Sequence, residues 1–277
     1  MKIAILLATY NSEKYINEQI NSLISQTYKD FTICIRDDGS SDKTIQIIKT
    51  FAMKHKGIKI LETSKNTIGA KNNFVELLIT INADYYMFCD HDDVWFPQKI
   101  EKTMLKMKEI EKNNPNKPVL IHTDLMVVNK ELDIIENSLW RISKKNPELQ
   151  KNLDYLSVSN CVTGCTVMIN KKAKEIVLPI PKQAIMHDWW IALCVAKNGV
   201  IDFINEPMGY YRQHEKNAIG ASVYKSNYLL TNLMNIVQVI KRNIKNYRMI
   251  VIINKNMSIL KFIYFKLLFY QKRQKFI

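Results

Sequence analysis

Residues 85–97 read Tyr85-Tyr86-Met87-Phe88-Cys89-Asp90-His91-Asp92-Asp93-Val94-Trp95-Phe96-Pro97: an apolar run, three carboxylates within four positions, then a second apolar run. Five uninterrupted apolar or aromatic residues suit a strand buried on both faces, and Pro97 is placed to open a helix. The acids therefore stand at the exit of a strand. Carboxylates crowded this closely repel unless neutralised. Hard divalent cations such as Mg²⁺ or Mn²⁺ take oxygen ligands and often share their shell with phosphates, so the cluster points to a metal that clamps a diphosphate. The competing reading, acids favoured near a helix start, accounts for one of the three.

Toward the N-terminus the same unit repeats. Ile3 to Ala8 is a continuous apolar run, and Ser12 can cap a helix with Ile16, Ile20, Leu23 and Ile24 on one stripe. Phe31 to Ile35 reads as strand, Asp37 to Ser41 as turn, and a helix carries Ile45, Ile48 and Phe51. Ile58 to Leu61 is strand and Phe74 to Ile81 lies in a helix. Alternation at this spacing implies right-handed crossovers and an α/β fold, a mostly parallel twisted sheet with helices on both faces. Ligands bind at the carboxyl ends of such strands, where Thr9-Tyr10-Asn11, Asp37-Asp38-Gly39-Ser40 and Asp90 to Asp93 all fall. Gly39, Gly69 and Gly164, among only seven glycines, mark turns or close approaches that a side chain would block.

Toward the C-terminus the pattern loosens. Val119 to His122, Leu125 to Val128, Cys165 to Ile169, Val200 to Ile204 and Met208 to Tyr211 read as strands. Trp189 to Ala196 reads as a helix, and Glu131 to Leu156 as an irregular, solvent-facing insertion.

The chain of 277 residues is long enough for one large domain with an appendage. Its net charge of +14 is mostly a tail property. Residues 217–277 hold eleven of the 40 Lys and Arg and no acid, leaving 29 basic against 26 acidic side chains before them. A basic face neither spread over the fold nor gathered in a recognised motif argues against nucleic acid as a partner. Five scattered cysteines in apolar runs read as reduced, buried thiols of a cytoplasmic protein, and Cys161 with Cys165 cannot make a zinc site alone. Ile3 to Ala8 is too short for a signal-peptide core, and no run reaches the length of a membrane-spanning helix.

Four strings in register resemble the inverting glycosyltransferases of family 2: LATYNSEKYINEQINSLISQTYKDF from Leu7, RDDGSSDKT from Arg36, NTIGAKNNF from Asn66 and FCDHDDVWFPQKI from Phe88. The resemblance covers about residues 1–215. It implies the Rossmann-like GT-A fold, with a nucleotide-binding half over 1–115, an acceptor half over 116–215 and a basic helical extension over 216–277. It also implies transfer of a sugar from a nucleoside diphosphate donor with the help of Mn²⁺ or Mg²⁺. By the same resemblance Ala8, Thr9 and Tyr10 face the base and ribose, Asp38 accepts from a pyrimidine imide, Asp90 lies near ribose or the first phosphate, and Asp92 ligates the metal. Lys71 and Arg212 lend charge to the phosphates, and His214 in Tyr211-Arg212-Gln213-His214, with Asn217 and Gly220 beyond it, returns to the metal.

In Met186-His187-Asp188-Trp189-Trp190 the resemblance makes Asp188 the catalytic base. Apolar neighbours independently favour this reading, because they disfavour its charged form and raise its pKa; a helix cap would not explain the flanking tryptophans. The Gln-x-x-Arg-Trp string of processive synthases is absent. The combination of DHDDVW, TGCTVMIN, MHDWW and YRQH resembles a rhamnosyltransferase-like branch that uses dTDP-rhamnose or a UDP-hexose and a cell-surface, lipid-linked acceptor. Two alternatives stand beside this: a non-catalytic sugar-nucleotide or membrane-scaffold relative, and a nucleotidyltransferase, which would carry a glycine- and arginine-rich loop where this chain has ATYNSEK.

In the tail, Leu233, Val237, Ile240, Ile244, Tyr247 and Val251 recur at helical spacing with Lys241, Lys245 and Arg248 on the other side. Ile259 to Phe269 is richer in apolar residues and is followed by Lys272, Arg273 and Lys275, as in an interfacial helix on an anionic membrane. The expectation is a peripheral location on the inner face of the cytoplasmic membrane; the competing readings are helices that pack on the catalytic domain or on a second copy, with their lysines merely solvated, and a disordered tail.

Overall fold

The computed structural model describes residues 1–62, 67–214 and 236–273. Asn66, Asn217, Gly220, Leu233 and Lys275, named above, lie outside them. β1 (Ile3–Thr9) is buried along its whole length, as its uninterrupted apolar sequence requires of a central parallel strand. It pairs in parallel with β2 (Phe31–Asp37) on one side and β4 (Tyr85–Cys89) on the other; β3 (Ile58–Ile60) continues the sheet beyond β2. The intervening helices are α1 (Ile16–Ile24), α2 (Thr44–Lys54) and α3 (Ala70–Thr80). Ser12 starts α1 through its backbone carbonyl, which accepts from Tyr15 and Ile16, and not through its side chain.

Beyond β5 (Val94–Trp95) and α4 (Lys99–Asn113), two long strands, β6 (Val119–Val128) and β9 (Val200–Arg212), replace the four short ones expected there. They pair in parallel with register shifts at Thr123/Asp124 and Asp124/Met126. The polar residues that suggested a break are buried and satisfied within the strand: Thr123 donates to the Asp124 carbonyl, and Asp124 accepts from Leu125 N, Trp140 N and Ser138 Oγ. β8 (Met168–Asn170) runs antiparallel between β4 and β6. The sheet order is β3-β2-β1-β4-β8-β6-β9-β5, with β7 (Ile134–Glu136) on β6. β1, β2, β3, β4, β6 and β9 run one way, so the sheet is mostly parallel.

The 131–156 segment is not a solvent-facing insertion. It carries α5 (Leu139–Ile142) and the start of α6 (Leu153–Val158), and it buries Leu139, Trp140, Gln150 and Leu156. The five cysteines are all free and buried.

Alternation along β1 splits the core. Ile3, Ile5 and Leu7 meet α1 and α4 on one face, while Ala4, Leu6 and Ala8 join α3 and α8 (His187–Asn198) on the other. α7 (Lys171–Val177) and the C-terminal helices α9 (Ile236–Ile253) and α10 (Ile259–Arg273) belong to the second face. Met249, Ile250, Ile253, Phe262 and Phe269 are core residues there. The stripe of α9 that packs is therefore the one through Met249 and Ile253, and Val237, Ile240 and Ile244 of the expected stripe are exposed. Among the described residues no helix is long and apolar enough to cross a membrane.

Candidate active site

All the polar clusters that follow β1, β2 and β4 open into one cavity of about 1490 Å³ at the carboxyl edge of the sheet. Ala8, Thr9, Tyr10, Asp38, Asp90, Asp92, Asp188 and His214 line it, eight of the ten expected site residues. The ends of β1 and β2 are tied together by Asp37, which accepts from Thr9 Oγ1 at 2.8 Å and from the Gly39 and Ser40 amides. Tyr10 is left 46% exposed at the rim, free to stack on a planar ring. Asp38 is buried and holds the 68–69 turn: its carboxylate accepts from Ile68 N, from Gly69 N at 2.7 Å and from Arg36 Nη1 at 3.0 Å. Gly69 has φ +83°, a left-handed conformation in which a side chain would be strained.

The acidic loop after β4 keeps its carboxylates close but gives them different surroundings, with ligand atoms of Asp90, Asp93 and Cys165 all within 4.8 Å of one another. Asp93 points inward beside Cys165, and burial raises its pKa well above the usual carboxylate range. Asp90 is in the cavity wall; burial first, and the Asp92 carboxylate next, push it up to about 7. Asp92 is held low. Burial opposes its charge, but the His214 hydrogen bond at 2.8 Å and nearby His91 outweigh it. The His214 ring stacks on Tyr15, centroids 4.9 Å apart. Nothing in the sequence pairs Tyr15 with His214, because the contact spans the chain.

Arg212 and Lys71 stand outside the cavity wall, and their cations are engaged elsewhere. Arg212 is 2% exposed; Nε donates to the Asp92 carbonyl at 2.9 Å, Nη1 to the Lys130 carbonyl at 2.6 Å, and Nη2 pairs with Glu18. Its guanidinium also lies 4.7 Å from the Tyr15 ring centroid, and through these contacts it braces the acidic loop. Lys71 Nζ donates to the carbonyls of Lys182 and Ala184, at 3.3 and 3.0 Å.

Asp188 is the second residue of α8, whose cap position is Met186, so it is not the helix cap. Its Oδ2 accepts from Gly164 N at 3.1 Å and Oδ1 from its own amide's neighbour, Trp189 N, at 2.5 Å. Burial raises its pKa to about 6, against the lowering effect of those two amides. His187 beside it is kept neutral by burial, its pKa lowered to about 3, and it is packed on Phe74 and Phe88 at 4.3 and 5.1 Å. A Cβ at Gly164 would come within 3.0 Å of His187 Nε2, which explains the glycine. A half-buried carboxylate in the wall of this cavity, its charge disfavoured by burial, can take up a proton near neutral pH. It shares one cavity with Asp90 and Asp92, an acidic pair suited to a cation.

The model of Glycosyl transferase family 2 matches residues 4–177. A dTDP-rhamnosyl transferase, RfbG of Shigella flexneri, is 29% identical over 80% of this chain and 76% of its own length. Among solved structures, TarS of S. aureus in complex with UDP-GlcNAc superposes with a TM-score of 0.60 at 20% identity, covering 86% of this chain and 66% of that one. The mannosyltransferase PcManGT of Pyrobaculum calidifontis, in complex with GDP-Man and Mn²⁺, superposes at 0.57 and 14% identity, covering 89% and 64%. The latter two show that the sheet and its helices are of the GT-A kind. With a family match that runs from β1 through α7, the chain belongs to glycosyl transferase family 2 and is a glycosyltransferase.

Proposed function

We propose that the protein transfers a sugar from a nucleoside diphosphate sugar, dTDP-rhamnose or a UDP-hexose, to a hydroxyl of a cell-surface glycan, with inversion at the anomeric carbon. The observation that carries this reading is Asp188: a half-buried carboxyl with a pKa near 6 in the same cavity as Asp38, Asp90 and Asp92. The acceptor oxygen attacks C1, the bond from C1 to the diphosphate oxygen breaks on the opposite side, and the acceptor proton passes to Asp188. One displacement inverts the centre. Tyr10 and Asp38 hold the base, Ala8 and Thr9 shape the ribose subsite, and Asp90 lies by the ribose or first phosphate. The rhamnosyl donor is supported by the Shigella relative.

A divalent cation fits the donor set. Asp90 and Asp92 face the cavity with a mutual repulsion that raises Asp90, and His214 Nε2 is poised on Asp92. Asp92 and His214 would hold Mn²⁺ or Mg²⁺, which when bound supplies positive charge to the departing diphosphate. The acceptor is lipid-linked, and the protein works peripherally on the inner face of the cytoplasmic membrane, a reading supported by the basic, acid-free C-terminal region.

Calorimetric titration of UDP, dTDP and GDP with and without Mn²⁺, repeated on Asp92→Asn, tests the donor site. The expected result is metal-dependent binding of a pyrimidine diphosphate, weakened at least about tenfold in the variant, which corresponds to loss of one charged ligand worth about 1.4 kcal/mol or more. GDP preference would overturn the role of Asp38. No binding of any of the three would overturn the donor reading.

A further inference from the structure

We infer that the outward faces of α9 and α10 together form the surface by which the protein docks on an anionic lipid bilayer. The inference deepens the membrane location proposed above by naming the residues that meet the lipid. Along α10, Ile259, Leu260, Ile263, Tyr264 and Leu267 form one stripe at helical spacing, and all are exposed, Leu260 by 80%. Such a run of large apolar side chains exceeds what scattered surface residues account for. On α9, Val237, Ile240 and Ile244 are likewise exposed.

The two stripes adjoin. Across the seam between the helices Lys266 Nζ bonds to Asn243, and Tyr247 stacks edge-on with Phe262 at 5.6 Å and donates to the Met257 carbonyl at 3.0 Å. Helical geometry then brings Ile240 and Ile244, beside Asn243, next to Ile263 and Leu267, beside Lys266.

Charge names the occupant. Lys241, Lys245 and Arg248 are exposed on α9 at the border of this stripe, and no Asp or Glu occurs from 217 to 277. The lysines of α10 are not part of the surface: Lys261 pairs with Asp154 at 2.9 Å, and Lys266 and Lys272 lie over the rings of Phe262 and Tyr155. An apolar band with a basic border, lying flat on two helices that are anchored to the core by their other faces, matches the headgroup and acyl boundary of an anionic leaflet.

Cosedimentation of the full chain with phosphatidylcholine vesicles, with and without phosphatidylglycerol, tests this at low and high salt. The expected result is binding to the anionic vesicles that weakens with salt. It should fall at least about tenfold in Leu260→Ser/Ile263→Ser/Leu267→Ser, and about tenfold in Lys241→Glu/Lys245→Glu on anionic vesicles only. Both variants should titrate with nucleoside diphosphate as the wild type does, which shows the fold intact and separates this surface from the donor site. Wild-type binding retained by the triple serine variant would overturn the assignment of the face while leaving the membrane location standing. No binding of the full chain to any vesicle would overturn both. A wild-type dimer in light scattering that the serine variant converts to monomer would assign the face to a second copy of this chain instead.

Discussion

The site turns on one side chain whose chemistry is set by where it is buried. Asp188 is half-buried in the cavity wall, and its pKa of about 6 lies above the ordinary 3.8 because burial disfavours the carboxylate. The folded state therefore holds this proton more tightly than the unfolded chain. Its contribution to stability is intact below the unfolded pKa and is lost as pH rises through the folded one. Asp188→Asn removes the charge but keeps one oxygen for Gly164 N or Trp189 N, and its NH₂ faces the other amide, which offsets part of the gain. The variant is expected to be more stable than the wild type by up to about 3 kcal/mol at pH 8 and by roughly half that at pH 5, as read from urea midpoints. Catalysis moves the opposite way. Turnover should be lost at every pH while donor binding is retained, and in the wild type kcat/KM should fall about tenfold per pH unit below 6. Near-normal turnover of Asp188→Asn would remove it from the base role.

At the scale of elements, the proposed base, Asp188, is aimed by the start of α8 meeting the turn at residues 164–166. His187 is clamped between Phe74 and Phe88, and Gly164 lies against it. Gly164→Ala forces a Cβ to within 3.0 Å of His187 Nε2, whose ring is already packed on Phe74 and Phe88. The start of α8 must shift by a few tenths of an ångström. The expected outcome is a stability loss of about 1–2 kcal/mol with a larger fall in kcat than in nucleotide affinity, measured by melting and titration side by side. Gly164 was legible in the sequence as a glycine beside polar residues at a turn; its partner was not, because His187 approaches from another element. The strands and loops up to Asp93 were legible for a related reason. Parallel strands buried on both faces read as unbroken apolar runs, and their ligand loops follow at once in sequence. The strand read over Cys165 to Ile169 is present but shorter and later, as β8, because residues 164–166 form a 3-10 turn; β6 hides behind Thr123 and Asp124, whose polarity is satisfied by Ser138 and Trp140 fifteen or so residues on. The carbonyls that Arg212 and Lys71 engage were not legible, because they come from segments distant in the chain.

At the scale of the whole molecule, the C-terminal helices are a wall of the catalytic core as well as an outer surface. Met249, Ile250, Ile253, Phe262 and Phe269 share one apolar cluster with Leu6 and Ala8 of β1, Phe74 of α3, and Trp190 and Ile191 of α8. Two polar contacts reinforce this: Ile185 N donates to the Met249 sulfur at 3.3 Å, and Lys197 Nζ to the Ile253 carbonyl at 2.6 Å. Ile185 lines the cavity, so α9 supports the active-site wall from behind. The core crosses the expected nucleotide half, acceptor half and extension alike, which predicts one cooperative unit. Heating should give a single transition, with calorimetric and van't Hoff enthalpies equal and tryptophan fluorescence and far-UV ellipticity coincident. Met249→Ala, which opens a cavity where α9 meets the Ile185 segment, should lower stability by about 2–4 kcal/mol and shift that one transition as a whole. A separate low-temperature transition carrying only the helical signal of the extension would mean that α9 and α10 fold apart from the catalytic core. In that case the docking surface would be a tethered module and not a fixed face of the enzyme.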